Sequence, residues 1–309
     1  MISSQFLYSA PRNLDAAIKM LSENKNSWPL AGGQGLLTDL KRERLSADLL
    51  VDLQLIPDLC GMNSNEEGLQ IGALTTLTQL TASEKVTKDY PALAEAAANA
   101  GDLQTRNQST LGGYLASNDP AGDLVAAVLV LEGVIQVYGP DGRRSVSASE
   151  FSVGPFKTAL APAEVITGLS LPIKAGDVVS AYEKFKNPAN SYAICGIAAR
   201  IVRSKGGYDY KLAVTGALEY PSLLPKLQSA LANKAPTDEN ITAAITQIEL
   251  PSEPRQDLYA SGDYRINLLK VLTKRAILRA AAPWGPIRPT GPMIPDPSNI
   301  EGTVIIRRN

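Results

Sequence analysis

The chain contains no histidine. That absence excludes a Ser-His-Asp triad, a Cys-His dyad, any metal site built on imidazole and a flavin attached covalently through histidine. Only two cysteines occur, Cys60 and Cys195. Two thiols are too few for a disulfide framework, a four-thiolate zinc site or an iron–sulfur cluster held by this chain alone, so both are read as buried thiols. An excess of one charge is also missing. Thirty Lys and Arg face 31 Asp and Glu with no long like-charge block, which argues against nucleic acid or anionic lipid as a partner. No run approaches the roughly 18 to 20 apolar residues of a membrane span, and no basic stretch leads into an apolar run at the N-terminus. A cytoplasmic protein without a membrane span is the expectation.

What is present is enough for a sizeable core. With 309 residues and 44% hydrophobic content, the chain has room for two domains. Asn13 is placed to cap an amphipathic helix over 13–24, in which Leu14, Ala17, Ile18 and Leu21 recur at helical spacing. Trp28 to Ala31 reads as a short buried strand, and Leu36 to Lys41 as a helical turn. Leu49–Leu53 and Leu69–Leu74 read as strands of a small sheet, and Ala92–Ala100 as a helix stopped by Gly101. A helix over Leu124–Leu131 precedes a hairpin, with Val134–Tyr138 and Arg143–Val146 joined by Gly139-Pro140-Asp141-Gly142. Glu164–Pro172 is a further strand, and Lys174 to Asp177 a linker.

Beyond it, Ser180–Phe185, Ile194–Arg203 and Tyr210–Leu218 alternate as strands, with helices expected near 223–231, 239–248 and 263–280. This is an α+β pattern. The division expected is 1–174, 175–282 and a proline-rich, extended tail over 283–309. In that tail, Val304-Ile305-Ile306 is an apolar run suited to a neighbouring sheet edge or groove.

Two glycine pairs stand out. The first lies in Leu30-Ala31-Gly32-Gly33-Gln34-Gly35-Leu36, between a strand and a helix, where free N–H groups suit an anion. The second is Thr110-Leu111-Gly112-Gly113-Tyr114. Glycines bring bare backbone N–H groups against a pyrophosphate, and two such loops are expected to do so from two sides. Neither GxxxxGK[ST] nor GxGxxG occurs, so the standard triphosphate and nicotinamide cradles are unsupported. The second block also runs on into Asn118-Asp119-Pro120-Ala121-Gly122-Asp123, packing hydroxyls, amides, glycines and carboxylates closely together.

Taken with Leu50-Val51-Asp52-Leu53, Ala181-Tyr182-Glu183-Lys184-Phe185 and the stretch from Tyr264-Arg265 to Arg275-Ala276, these blocks resemble the FAD-containing medium subunit of the molybdenum hydroxylases. That is the family of xanthine dehydrogenase and aerobic carbon monoxide dehydrogenase. The resemblance covers residues 5–280. It implies an N-terminal FAD-binding domain of two α+β subdomains, of the PCMH/VAO-like kind, then a C-terminal domain of antiparallel strands plus helices.

The implied cofactor is non-covalent FAD. Leu30 to Leu36 are expected to meet its diphosphate through backbone N–H groups, with Thr110, Gly112, Gly113 and Tyr114 opposite. Asp123 matches an acidic position near the flavin or its ribityl chain, and read by itself it is equally a helix N-cap. Ile166, Lys184 and Tyr192 match positions beside the isoalloxazine, while their plain readings are a core strand residue, a solvated lysine and a core tyrosine. No catalytic residue and no metal ligand is expected here. The molybdenum cofactor and two-iron clusters are implied only for a large and a small partner subunit, with electrons leaving through FAD to an external acceptor.

Gly35 stands where the family commonly has serine, and Tyr114 where asparagine or serine is frequent. Ser117 and Asn118 also depart from the usual pattern. These departures keep a flavin-less assembly subunit open as a second reading. A free-standing flavin oxidoreductase is a third, weakened by the lack of an evident acid or base.

Overall fold

The computed structural model describes residues 5–173 and 176–285. The first part of the chain runs β1 (Leu7–Ser9), α1 (Leu14–Glu23), β2 (Ser27–Leu30), α2 (Leu36–Lys41), β3 (Leu49–Asp52), β4 (Met62–Asn65) and β5 (Gly68–Gly72). A run of helices follows: α3 (Leu77–Ala82), α4 (Glu84–Asp89), α5 (Pro91–Asn99), α6 (Leu103–Gln108), α7 (Leu111–Ser117) and α8 (Leu124–Val130). Then come β6 (Val134–Gly139), β7 (Gly142–Ser147), α9 (Ala148–Phe151), β8 (Ser152–Gly154), β9 (Lys157–Thr158) and β10 (Val165–Pro172). The second part holds β11 (Asp177–Lys186), β12 (Ala193–Ser204), β13 (Gly207–Thr215), β14 (Ser222–Leu223), α10 (Pro225–Leu231), α11 (Asp238–Thr246) and α12 (Gly262–Ala281). The α+β class expected from the sequence is the one observed.

Three sheets carry the architecture. The first is parallel, in the order β1-β3-β2. All four residues of β3 are buried, as a central parallel strand requires. Helix α1 packs Leu14, Ala17, Ile18 and Leu21 into that core, and Asn13 caps it by accepting from Ala16 N at 2.8 Å. Strand β2, expected to be buried, is an edge strand: Trp28 and Pro29 are exposed and only Leu30 is buried. Proline has no N–H for a ladder and belongs at an edge.

The second sheet is antiparallel, in the order β4-β5-β10-β6-β7, and the expected hairpin closes with Gly139 opposite Gly142. The third, β11-β12-β13-β14, is antiparallel and backed by α10, α11 and α12. At the junction of the two parts lies α8, all seven of whose residues are buried. It shares one core cluster with Tyr182, Ala198 and Ala213 of the third sheet. A helix apolar on every side is stable only when covered on every side.

Three further expectations need correction or fall outside. Cys60 is exposed, not buried, because the buried position at that bend is taken by Leu59. The second glycine block is no loop, since Gly112 and Gly113 form the first turn of α7. Lys174 and Ala175 of the expected linker, and the tail from 286 with Val304 to Ile306, lie outside the described residues. Among the described residues, no helix is long and apolar enough to cross a membrane.

Candidate cofactor site

Between β2 and α2 the chain turns through Ala31 to Gly35. Gly33 takes a positive φ of 74°. At Gly32 the constraint is contact: a Cβ there would lie 1.9 Å from the Gln108 carbonyl oxygen, so only glycine lets this loop run against the end of α6. Gln34 Nε2 donates to Gln108 Oε1 at 2.7 Å, and Gln54 Nε2 donates to the Ala31 carbonyl at 3.2 Å. Among the described residues, the N–H groups of Gly32, Gly33, Gln34 and Gly35 find no acceptor. Nothing approaches within 4 Å of where a Gly35 Cβ would be. Four consecutive unpaired amides beside open space form an anion cradle.

The second glycine segment contributes differently from the expectation. Leu111 N donates to Thr75 O (2.9 Å) and Gly112 N to Ala73 O (2.8 Å). Gly113 N donates to Thr110 Oγ1 (3.2 Å), which caps α7. These three amides are therefore occupied by the chain itself. What the segment supplies is proximity and a hydroxyl. Gly112 fits tightly on Ala73, exposed Gly113 has only Thr110 and Ala31 near the place of its Cβ, the latter at 3.9 Å, and Thr110 keeps its own O–H to donate.

Asp123 proves not to be a capping side chain, as it makes no hydrogen bond to the first turn of α8. Its carboxylate is instead buried in a polar knot between the two parts of the chain. Tyr182 Oη donates to Oδ1 at 2.6 Å, while Lys184 Nζ (2.9 Å) and Tyr114 Oη (3.2 Å) reach Oδ2. Tyr114 Oη also accepts from Asp123 N at 3.0 Å, so the tyrosine ring turns toward Asp123. Lys184 is no solvated lysine, for its side chain is 1% exposed and donates also to the Asn99 carbonyl at 2.9 Å. Burial raises the Asp123 carboxyl above the ordinary 3.8, opposed by the Lys184 charge and the donors around it. Burial, and then the charge of Asp123, hold the Tyr114 and Tyr182 hydroxyls well above 10, so both remain donors.

Tyr192 is 49% exposed, so it is not a core tyrosine. Burial of its hydroxyl end raises its pKa, and the charges of Asp119, Arg42 and Asp39 act on it as well. Ile166 is buried in the same cluster as Leu111 and Leu115, one residue from Thr167, whose carbonyl accepts from Ala73 N at 3.1 Å.

The structure thus brings Leu30–Leu36 together with Thr110–Gly113, and Tyr114 together with Asp123 and Lys184. Tyr192 stands at the margin and Ile166 lies in the core. Two contributors escape a reading of the glycine blocks. Gln108, which stands just before Ser109-Thr110 and for which the sequence suggests no role of its own, faces Gln34. Tyr182 lies two residues before Lys184 on a strand, and that spacing puts both on one face. Among the described residues, no cluster of His, Cys, Asp and Glu is suited to a metal ion.

The donor set fits a dinucleotide cofactor with a diphosphate bridge, because it offers unpaired backbone amides and space that any larger residue would restrict. Residues 4–174 match the FAD binding domain in molybdopterin dehydrogenase, and residues 180–280 match the CO dehydrogenase flavoprotein C-terminal domain. The chain is 31% identical over 283 residues to the glyceraldehyde dehydrogenase medium chain of Sulfolobus acidocaldarius, covering 91% of this chain and 100% of that one. It is 32% identical over 285 residues to the carbon monoxide dehydrogenase medium chain of Hydrogenophaga pseudoflava, covering 91% and 99%. Among solved structures, a chain of carbon monoxide dehydrogenase from Hydrogenophaga pseudoflava lacking the Mo-pyranopterin moiety superposes with a TM-score of 0.85 at 33% identity, covering 91% and 99%. A chain of quinoline 2-oxidoreductase from Pseudomonas putida 86 does so at 0.85 and 28%, covering 92% and 99%. With both parts matched nearly end to end, this chain belongs to the family of FAD-binding medium subunits of the molybdenum hydroxylases.

Proposed function

We propose that this chain holds FAD non-covalently and serves as the electron-transfer subunit of a multi-subunit molybdenum hydroxylase. The observation that carries the reading is the run of unpaired amides from Gly32 to Gly35, with open space at Gly35 and with Gly113 near the neighbouring Ala31. In this reading that run binds the diphosphate, the Thr110 hydroxyl adds a donor, and the Tyr192 ring shields one side of the flavin. The knot of Asp123, Lys184, Tyr114 and Tyr182 keeps a compensated charge pair behind the site, and Ile166 contributes an apolar floor. Bound FAD supplies one- and two-electron chemistry, which suits a junction between single-electron clusters and a two-electron acceptor. No residue of this chain acts on the organic substrate.

The partners in this reading are a large molybdenum-cofactor subunit, a small iron–sulfur subunit and an external electron acceptor. Its location is cytoplasmic, in keeping with two free thiols. Purification followed by FAD titration tests the reading, with a yellow chain, one FAD per chain, as the expected result. A chain that stays colourless with excess FAD points instead to an assembly subunit. Molybdenum and iron travelling with larger and smaller partners separate the proposal from a free-standing flavin oxidoreductase.

A further inference from the structure

Residues 119–123 link α7 to α8 and carry Asp119 and the buried Asp123. Inside the turn, Ala121 N donates to Asp119 Oδ1 (2.8 Å) and Gly122 N to Asp119 O (2.8 Å). The outer side of the turn is clasped by strand ends of the third sheet. Gly216 N donates to Pro120 O (2.7 Å) and Ala193 N to Ala121 O (3.3 Å). The Thr215 hydroxyl lies 3.0 Å from Pro120 O and 2.6 Å from Gly122 O.

These strand ends have a problem of their own. Gly216 turns with φ +77°, and a Cβ on it would stand 2.5 Å from Ala193 O and 2.9 Å from Ile194 O. Carbonyl oxygens thus crowd one spot, out of reach of water. Arg265, on the first turns of α12, answers them. Its side chain is 2% exposed, Nη1 donates to Ile194 O and Gly216 O, both at 2.6 Å, and Nη2 pairs with Asp257 Oδ1 at 2.7 Å. Just before Asp257, Arg255 N donates to Ala217 O at 2.8 Å, which ties the same segment to the strand end.

We propose that Arg265 is a positioning residue for the cofactor site: by gathering the Ile194 and Gly216 carbonyls it sets the strand ends that hold residues 119–123 in place. That turn in turn places Asp123 against Tyr114, Tyr182 and Lys184. A guanidinium is needed because its planar fork serves two carbonyls and a carboxylate at once, which an ammonium cannot match. The inference rests on the FAD reading above for its consequence, though not for its geometry.

The test compares Arg265→Lys and Thr215→Val with the wild type in the full chain, with Lys226→Gln, on the exposed surface of the same part, as control. Amide hydrogen exchange in the FAD-free chain reads the turn directly. In both variants, exchange at Ala121, Gly122 and Asp123 is expected to rise by roughly tenfold while Leu50 and Val51 in the parallel sheet keep wild-type rates. The FAD dissociation constant is expected to rise by about the same factor and the visible band of the bound flavin to shift. Lys226→Gln matches the wild type in all three. Wild-type exchange at the three amides, or wild-type FAD affinity, in Arg265→Lys overturns the proposal. Should that variant fail to fold, Thr215→Val decides by the same criteria. A wild type that binds no FAD defeats the flavoprotein reading and the cofactor role of Arg265 together, whereas a wild type that binds while both variants bind equally well defeats this proposal alone.

Discussion

Asp123 and Lys184 meet at 2.9 Å with their side chains 2% and 1% exposed, across the boundary between the first two sheets and the third. A buried ion pair adds little over an apolar substitute, but losing one partner strands the other charge without water. Lys184→Met, which leaves the Asp123 charge buried without its partner, is therefore expected to cost about 3 to 5 kcal/mol. The double variant Asp123→Asn with Lys184→Met is expected to be clearly less damaging than the two single losses added together. Urea melts of the four proteins measure this cycle, and strict additivity would show that the pair is not coupled.

The glycines of the cradle are unequal. Gly32→Ala forces a methyl into the Gln108 carbonyl, with an expected loss of about 1 to 3 kcal/mol and weakened FAD binding. Gly35→Ser enters open space and is expected to leave stability within about 0.5 kcal/mol of the wild type. Thermal melts of the FAD-free chains with paired FAD titrations check both.

The two thiols should differ sharply in reactivity. Burial pushes the Cys195 thiol up to about 12, whereas Cys60 is exposed, and thiolate character with access controls reactivity. A thiol reagent at mildly alkaline pH is expected to label Cys60 alone in the native chain and both residues in denaturant. Labelling of Cys195 at the native rate of Cys60 would contradict the burial described above.

The Arg144 hydrogen bond holds the Glu164 carboxyl below its ordinary 4.5, with burial opposing it. Because the folded chain releases that proton more readily than the unfolded one, the pair stabilises the fold fully at neutral pH. The contribution shrinks as pH falls below 4.5 and is gone only beneath the lowered folded value. Wild type and Glu164→Gln are thus expected to differ in melting temperature at pH 7 and to converge with acidification. A difference that grows toward acid would reverse the assigned direction.

Much of the fold was legible in the chain because its signals are local. Asn13 and the spacing of Leu14, Ala17, Ile18 and Leu21 mark α1, and the turn between Gly139 and Gly142 marks the hairpin. Of the helices between Leu77 and Ser117, α5 is legible as the alanine-rich stretch before Gly101, while α3, α4, α6 and α7 are not. Each of these four spans seven residues or fewer, too short for a periodic pattern, although Thr76, Ser83, Asp102 and Thr110 all stand as side-chain caps. Burial was misread at Trp28 and Cys60 because composition does not reveal which strand or bend ends at an edge.

The sequence by itself determined the α+β class, the placement of the two glycine segments and the exclusion of histidine chemistry, since each follows from residue type and near-neighbour spacing. Only the tertiary structure decided which amides remain unpaired. It occupied those of Leu111 to Gly113, left those of Gly32 to Gly35 without acceptors among the described residues, and sealed Lys184 against Asp123. Hydrogen-bond partners and desolvation depend on which distant segments come together, and that information is carried by no single stretch of chain.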